Sequence, residues 1–294
     1  MILTIDLETY SPQDIGKVGA YRYAQDPDFE ILLCSAAIDN GRVQLTDVTE
    51  NSLIGLASLK PLLFDPRYTK RAWNAAFEWW CLSEYFHLTQ QQREAWLDQW
   101  EDSMVHAMYC GLPASLKEAG KALQLPEDKA KMREGAALIR YFCCPCKQTK
   151  VNGGRTRNLP EHDPAKWEIF RQYNIRDVET ERHIDGLLEP FKVPGFIWSQ
   201  WRDDVRMNSR GIATDADLTS GALWCGQQYS AELFEEAQQI TELTNPNAPG
   251  QLRDWLNDNG ADLPDLQKAT VAEALKQPQN PAVKRVLEIR QGLG

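Results

Sequence analysis

The segment Met1-Ile-Leu-Thr-Ile-Asp-Leu-Glu-Thr-Tyr10 opens the chain and sets its fold. The apolar run Ile2 to Ile5 predicts a buried strand, with Asp6 and Glu8 following at its C-terminal end. Side chains two apart on a strand leave the same face, so both carboxylates converge on one spot off the sheet edge. Like charges held that close favour a divalent cation between them. The plainer alternative is a pair of solvated acids ending a strand.

A length of 294 residues suits one large or two ordinary domains, and 43% hydrophobic residues with ten Trp fill a proper core. No apolar run approaches a membrane span and no signal peptide precedes the first strand, so no membrane partner is expected. Seven cysteines, an odd number, point to a reducing cytoplasm rather than a disulfide framework. A net charge of −10 argues against general electrostatic attraction to nucleic acid. It leaves room for an enzyme that grips a strand end through metals and a few basic side chains.

Outward from the first strand, the polar stretch from Ser11 to Asp28 reads as loop. Phe29 to Asp39 and Arg42 to Val48 read as strands joined by Asn40-Gly41, a pair that accepts the positive φ angles of a type I′ hairpin turn. Ser52 to Leu63 has helical spacing of Leu53, Leu56, Leu59 and Leu63. Lys70 to Asn74 predicts a short strand, and Ala75 to Leu82 a helix with Asn74 as N-cap and Glu78 in its first turns. Ser115-Leu-Lys-Glu118 fits a capping box. Asp163-Pro164 predicts the start of a helix that carries Tyr173 and Asp177 and stops at Pro190. Lys192-Val-Pro-Gly195 reads as a domain boundary, after which long amphipathic helical segments follow.

Four acids stand out by context: Asp6 and Glu8, Glu78 in Asn74-Ala-Ala-Phe77-Glu78, and Asp177 in Tyr173-Asn-Ile-Arg-Asp177. Tyr173 and Asp177 lie one turn apart on one helix face. In this order the three pieces resemble the three-motif signature of the DnaQ-like (DEDD) 3′–5′ exonucleases, in the subclass with a tyrosine in the third motif. Gln172 stands where the other subclass has histidine, which leaves His87, His106, His162 and His183 without a catalytic role. The second motif ends in Glu78 where the family usually has Asp; glutamate is a hard-cation ligand with one more methylene of reach. Asp102-Ser-Met, Gly111-Leu-Pro113 and the stretch Arg206 to Asp215 are similar to proofreading and thumb segments of phage-type family A DNA polymerases.

The resemblance implies an α/β, ribonuclease H-like mixed β-sheet flanked by helices over residues 1–190. A helical partial thumb domain would follow over 196–294. It implies metal-dependent 3′–5′ removal of nucleotides from single-stranded or frayed DNA 3′ ends, in a bacterial or phage-infected host cytoplasm. No palm or fingers motifs occur before Gly294, so the polypeptide is not expected to copy DNA by itself; the palm and fingers part would be a partner. Asp6, Glu8, Glu78, Tyr173 and Asp177 would be catalytic, with the four acids holding two Mg²⁺ or Mn²⁺ ions. Such ions, roughly 3.5–4 Å apart, act on the attacking and leaving oxygens of a phosphodiester. Thr9, Asn74 and Phe77 would meet the nucleic acid. Lys147, Lys150, Arg155 and Arg157, in a Gly-containing loop, either hold phosphates or are simply solvated. Cys143-Cys144-Pro145-Cys146 lacks zinc spacing. Two rival readings are a ribonuclease D-type RNA 3′–5′ exonuclease, and a non-catalytic structural or DNA-guiding module of the same fold.

Overall fold

β1 (Ile2–Tyr10) is longer than its apolar run, because the residues beyond Ile5 keep pairing with the strand Glu30–Ile38 and Leu7 and Tyr10 are buried. The computed structural model describes residues 1–50, 55–126 and 135–293. Two compact units divide the chain, Met1–Gly211 and Ile212–Gly294.

In the first unit β1 lies at the centre of a five-stranded mixed sheet. β2 (Glu30–Ile38) pairs antiparallel with one edge of β1, and β3 (Gln44–Asp47) pairs antiparallel with β2. β4 (Thr69–Ala72) runs parallel to β1, and β5 (Trp100–Asp102) parallel to β4. This is an α/β architecture compatible with the ribonuclease H-like arrangement expected. Odd residues of β1 (Leu3, Ile5, Leu7) join a core with Trp79, Trp80, Trp96 and Trp100. Tyr10 joins a second core with Phe142, Trp167, Phe170 and Tyr173. The even face of β1, which carries Asp6 and Glu8, therefore looks towards α8 (Pro164–Leu188), whose start is capped by Asp163 as the sequence implies.

Several local expectations need correction. The stretch after Tyr10 contains a helix, α1 (Ile15–Ala24), kinked at Gly19 where φ is 74°. The kink and the interspersed glycines hide its periodicity. The β2–β3 hairpin forms, but positive φ falls on Asp39 while Gly41 N–H bonds Ile38 O at 2.8 Å, so the turn is not of type I′. In the region expected to be helical from Ser52, residues 52–54 lie outside the described residues, and the helix α2 spans only Lys60–Phe64. Asn74 occupies the N-cap position of α3 (Ala75–Tyr85) with φ 71°, yet its side chain caps nothing. After α4 (Gln90–Trp96) and α5 (Ser103–Tyr109), Ser115 precedes α6 (Leu116–Ala122) without a capping box: its side chain makes no cap bond, and Glu118 pairs with Lys121 at 2.8 Å. A further helix, α7 (Gly135–Phe142), carried no sequence expectation.

The boundary read at Lys192–Gly195 is not where compaction divides the chain. α9 (Gly195–Arg210) packs on the first unit: Val205 joins the Trp-rich core, Arg202 donates to Trp100 O at 3.1 Å, and Arg206 pairs with Asp98 at 2.5 Å. The second unit is helical. α10 (Ala216–Thr241) and α13 (Pro281–Leu293) pack through Leu233, Ala237 and Ile289 and are tied by Arg285 to Glu236 at 2.7 Å. α11 (Pro249–Asp258) and α12 (Lys268–Ala274) supply Leu252, Leu256 and Val271 to its core. Among the described residues no helix is long and apolar enough to cross a membrane.

Candidate metal centre

Parallel pairing of β4 with β1 ends at Thr4, so the backbone beyond it, bearing Asp6 and Glu8, leaves a crevice where β4 turns into α3. Crevices at the carboxyl ends of parallel strands are where α/β sheets place ligands. α8 crosses the face of β1 and brings Tyr173 and Asp177 to the same place. One carboxylate oxygen each from Asp6, Glu8 and Asp177 lies within 4.8 Å of the other two. Glu8 and Asp177 are buried.

The three acids line a cavity of about 720 Å³ together with Thr9, Asn74, Phe77, Glu78 and Tyr173. The side chains singled out in the three motifs, Asp6, Glu8, Asn74, Phe77, Glu78, Tyr173 and Asp177, thus line one cavity. Glu78 stands slightly apart from the three-carboxylate group. It is 3% exposed, and its Oε2 finds no hydrogen-bond partner among the described residues. Burial, and then the charge of Asp6, push its carboxyl well above the usual range. A buried acid with an orphaned oxygen, facing other acids, is a donor set suited to a hard cation.

The Tyr173 hydroxyl donates to Asp177. Burial, followed by the charges of Asp177, Glu8 and Asp6, raises its pKa far above that of a free phenol. The group is a neutral hydrogen-bond donor throughout the working pH range and not a base. Thr9 Oγ1 shares a 2.9 Å hydrogen bond with the Tyr23 hydroxyl, and Phe77 meets Tyr23 at a ring separation of 6.1 Å. These contacts make one wall of the cavity.

The basic loop is internally ordered. Asn152 Nδ2 donates to Lys147 O at 2.9 Å, and Asn152 Oδ1 accepts from Thr149 N at 2.9 Å. Arg155 donates to Asn158 at 2.8 Å, while Arg157 pairs with Glu30 at 2.6 Å and lies 3.7 Å over the Tyr10 ring. Lys147 and Lys150 are exposed. None of these four basic side chains lines the acidic cavity. The neighbouring thiols point apart: Cys143 towards Glu8, Cys146 towards Arg155 O, with Cys144 exposed.

The chain is similar to a phage DNA polymerase. It is 41% identical over 289 residues to the DNA polymerase of Bacillus phage SP02, a match that takes in 98% of this chain. The chain spans 43% of the length of that polymerase. No family model matches the chain.

Three contributors to the site were assigned no role from the motifs, although Asp102 stands in a stretch likened above to proofreading segments. Asn174, fully buried beside Tyr173, donates from Nδ2 to Asp6 Oδ2 at 2.6 Å and to Asp6 O at 3.3 Å. Asp102 supplies the cap that Asn74 does not. Its carboxylate accepts from Asn74 N at 3.1 Å and Ala75 N at 3.0 Å, at the start of the helix that carries Glu78. It also accepts from Met104 N at 2.9 Å, opening α5. Burial raises its pKa to about 6 against the pull of those amides. Behind Asp177, the buried Glu181 accepts from Ser103 Oγ at 2.6 Å, and Asp185 shares the same hydroxyl at 3.0 Å. Arg71 joins Asp185 at 3.3 Å and also pairs with Glu101. A lone buried Asn or Asp next to a motif has no distinctive spacing; only the fold shows what it touches.

Proposed function

We propose that the first unit is a divalent-metal-dependent 3′–5′ exonuclease acting on DNA ends, serving as the proofreading part of a polymerase like that of the phage. The observation that carries the reading is the convergence of Asp6, Glu8 and Asp177 within 4.8 Å, on β1 and α8, with Tyr173 bonded to Asp177. Similarity to a DNA polymerase favours DNA over RNA as the substrate.

The oxygen-only donor set and the orphaned Glu78 Oε2 fit Mg²⁺ or Mn²⁺. Asp6, Glu8 and Asp177 would hold one ion, and Asp6 with Glu78 a second. When bound, such ions supply a hydroxide-like nucleophile at neutral pH and neutralise charge on the scissile phosphate. The protein's own residues do the positioning. Asn174 fixes the Asp6 carboxylate, so its orientation is set before substrate arrives. The neutral Tyr173 hydroxyl orients the attacking water through a hydrogen bond. Phe77 and the apolar cavity wall give the terminal base an apolar surface to lie against.

The test uses 5′-labelled single-stranded DNA, a duplex with a frayed 3′ end, and matched RNA, each with Mg²⁺ or Mn²⁺. A ladder shortening from the 3′ end of DNA, abolished by EDTA, is the expected result. A strong RNA preference would place the chain with ribonuclease D-type enzymes. Absence of hydrolysis with either metal would make it a non-catalytic module.

A further inference from the structure

α7 belongs to none of the three motifs, yet it and the residue that follows it touch two of their side chains. Gly135 opens it and is buried. A Cβ placed on Gly135 would fall 2.6 Å from Tyr173 Cζ and 2.8 Å from Cδ2, with Cε2 closer still. Atoms do not pack at such separations, so the phenol ring occupies the space that any other residue at position 135 would need. At the other end of the helix, Phe142 stacks on Phe170 at 5.4 Å and meets Trp167 at 4.8 Å, both from α8. Phe170 in turn lies nearly parallel to Tyr173 at 6.0 Å. α7 is therefore anchored to the helix that carries Tyr173. One residue on, the buried Cys143 thiol donates to Glu8 Oε2 at 3.7 Å.

We infer that residues 135–143 form a strut that fixes the Tyr173 phenol and the Glu8 carboxylate relative to one another, with Gly135 and Cys143 as positioning residues. The catalytic half of this inference rests on the exonuclease reading above. Gly135 acts by what it lacks: the ring is seated against bare backbone, and its hydroxyl is bonded to Asp177. Cys143 acts by donating a weak hydrogen bond from a buried thiol, and that bond orients Glu8.

The test begins with metal-free protein labelled with 3-fluorotyrosine, where the Tyr173 ¹⁹F resonance is identified by its loss in Tyr173→Phe. Gly135→Ala is expected to shift or broaden that resonance; an unchanged resonance overturns the inference whether or not the protein is a nuclease. On 5′-labelled single-stranded DNA, Gly135→Ala is expected to lower kcat about 10–100-fold with little change in KM, the size usual for removing a supporting contact. In the Tyr173→Phe background the same substitution is expected to cost less than about twofold, because the hydroxyl it misplaces is gone. Full additivity of the two losses overturns the inference. If Gly135→Ala alone does not fold, Gly135→Ala/Tyr173→Ala is expected to melt close to Tyr173→Ala; a melt well below it assigns the glycine requirement elsewhere and overturns the claim. Cys143→Ser, which keeps a donor, is expected to bind Mn²⁺ more tightly than Cys143→Ala by electron paramagnetic resonance titration, and equal affinities remove Cys143 from the strut. If the parent protein shows no 3′ hydrolysis while the fluorine shift appears, the exonuclease reading fails and the positioning of Tyr173 by Gly135 stands.

Discussion

Asn174 Nδ2 donates to both Asp6 Oδ2, at 2.6 Å, and the Asp6 backbone oxygen, at 3.3 Å, so one amide grips the carboxylate and main chain of the same residue. Asn174 and Tyr173 are adjacent in α8, and a single turn thereby sets two parts of the site. Outer partners of metal ligands are typically worth about 10–100-fold in metal affinity or activity. Asn174→Ala is expected to lower DNA 3′-end hydrolysis by about that factor and to weaken Mn²⁺ binding. Steady-state kinetics with a metal titration would show it. A rate matching the parent protein would mean that Asp6 is oriented by other contacts.

Asp6→Ala should separate activity from stability. Asp6 is the acid both ions would share, and its removal is expected to reduce hydrolysis by at least about 1,000-fold. The metal-free fold should lose little, because the Asp6 charge is one of the causes that raise the Glu78 pKa. Taking it away relieves repulsion between the half-buried Asp6 and the buried Glu78. Thermal melts in EDTA are therefore expected to be unchanged or slightly higher. A melt several degrees lower would show that Asp6 supports the apo fold, through Asn174 for instance.

Much of the candidate site was legible in the sequence because its residues recur at the periods of the elements that carry them. Asp6 and Glu8 share a strand face, Tyr173 and Asp177 share a helix face, and Asp163-Pro164 announces the helix that presents them. Those rules are local, and they held. What stayed hidden depends on contacts across long sequence separation or on missing atoms. Asp102 caps a helix that begins at residue 75, and no local rule links the two. Gly135 matters for the side chain it does not have. α1 escaped because Gly19 breaks the helical period. β5, three residues long, is a strand only because β4 lies beside it. The reading of residues 196–210 with the helical region also followed the pattern faithfully; amphipathicity says that a helix packs, not on which unit.

The metal-free protein should become less stable as pH rises through neutrality. Burial raises the carboxyls of Glu78 and Glu181 well above their usual range, and those of Asp185 and Asp102 above theirs, with Asp102 at about 6. A raised acid binds more protons in the folded than in the unfolded chain, so stability falls as pH climbs from the unfolded towards the folded pKa. Urea unfolding in EDTA is expected to give a higher midpoint at pH 6 than at pH 8. Mg²⁺ should stabilise more at pH 8, where it replaces protons among the acids. Glu78→Gln is expected to flatten the EDTA profile. A midpoint that rises with pH would contradict this account of the buried acids.

Asp102 tests whether the position of Glu78 depends on a cap supplied from a different strand. Its carboxylate accepts from the backbone N–H groups of Asn74, Ala75 and Met104, and at 3.4 Å from Val105, so it closes the starts of α3 and α5 together. Asp102→Asn keeps one oxygen for Asn74 and Met104 but turns an amide towards the Ala75 N–H. Losing a charge-assisted bond and leaving a buried donor unmet costs about 1–3 kcal/mol, which a urea titration at pH 7.5 resolves. Asp102→Ala strands every one of those donors and is expected to cost more. Because Glu78 lies in the first turn of α3, the same Asn variant should weaken Mn²⁺ binding more than it changes binding of single-stranded DNA in EDTA. Its stability should also vary less between pH 4.5 and 6.5 than that of the parent, since the group titrating near 6 is gone. Loss of stability with metal affinity untouched would show that Glu78 takes its place from the packing of Trp79 and Trp80 rather than from the cap.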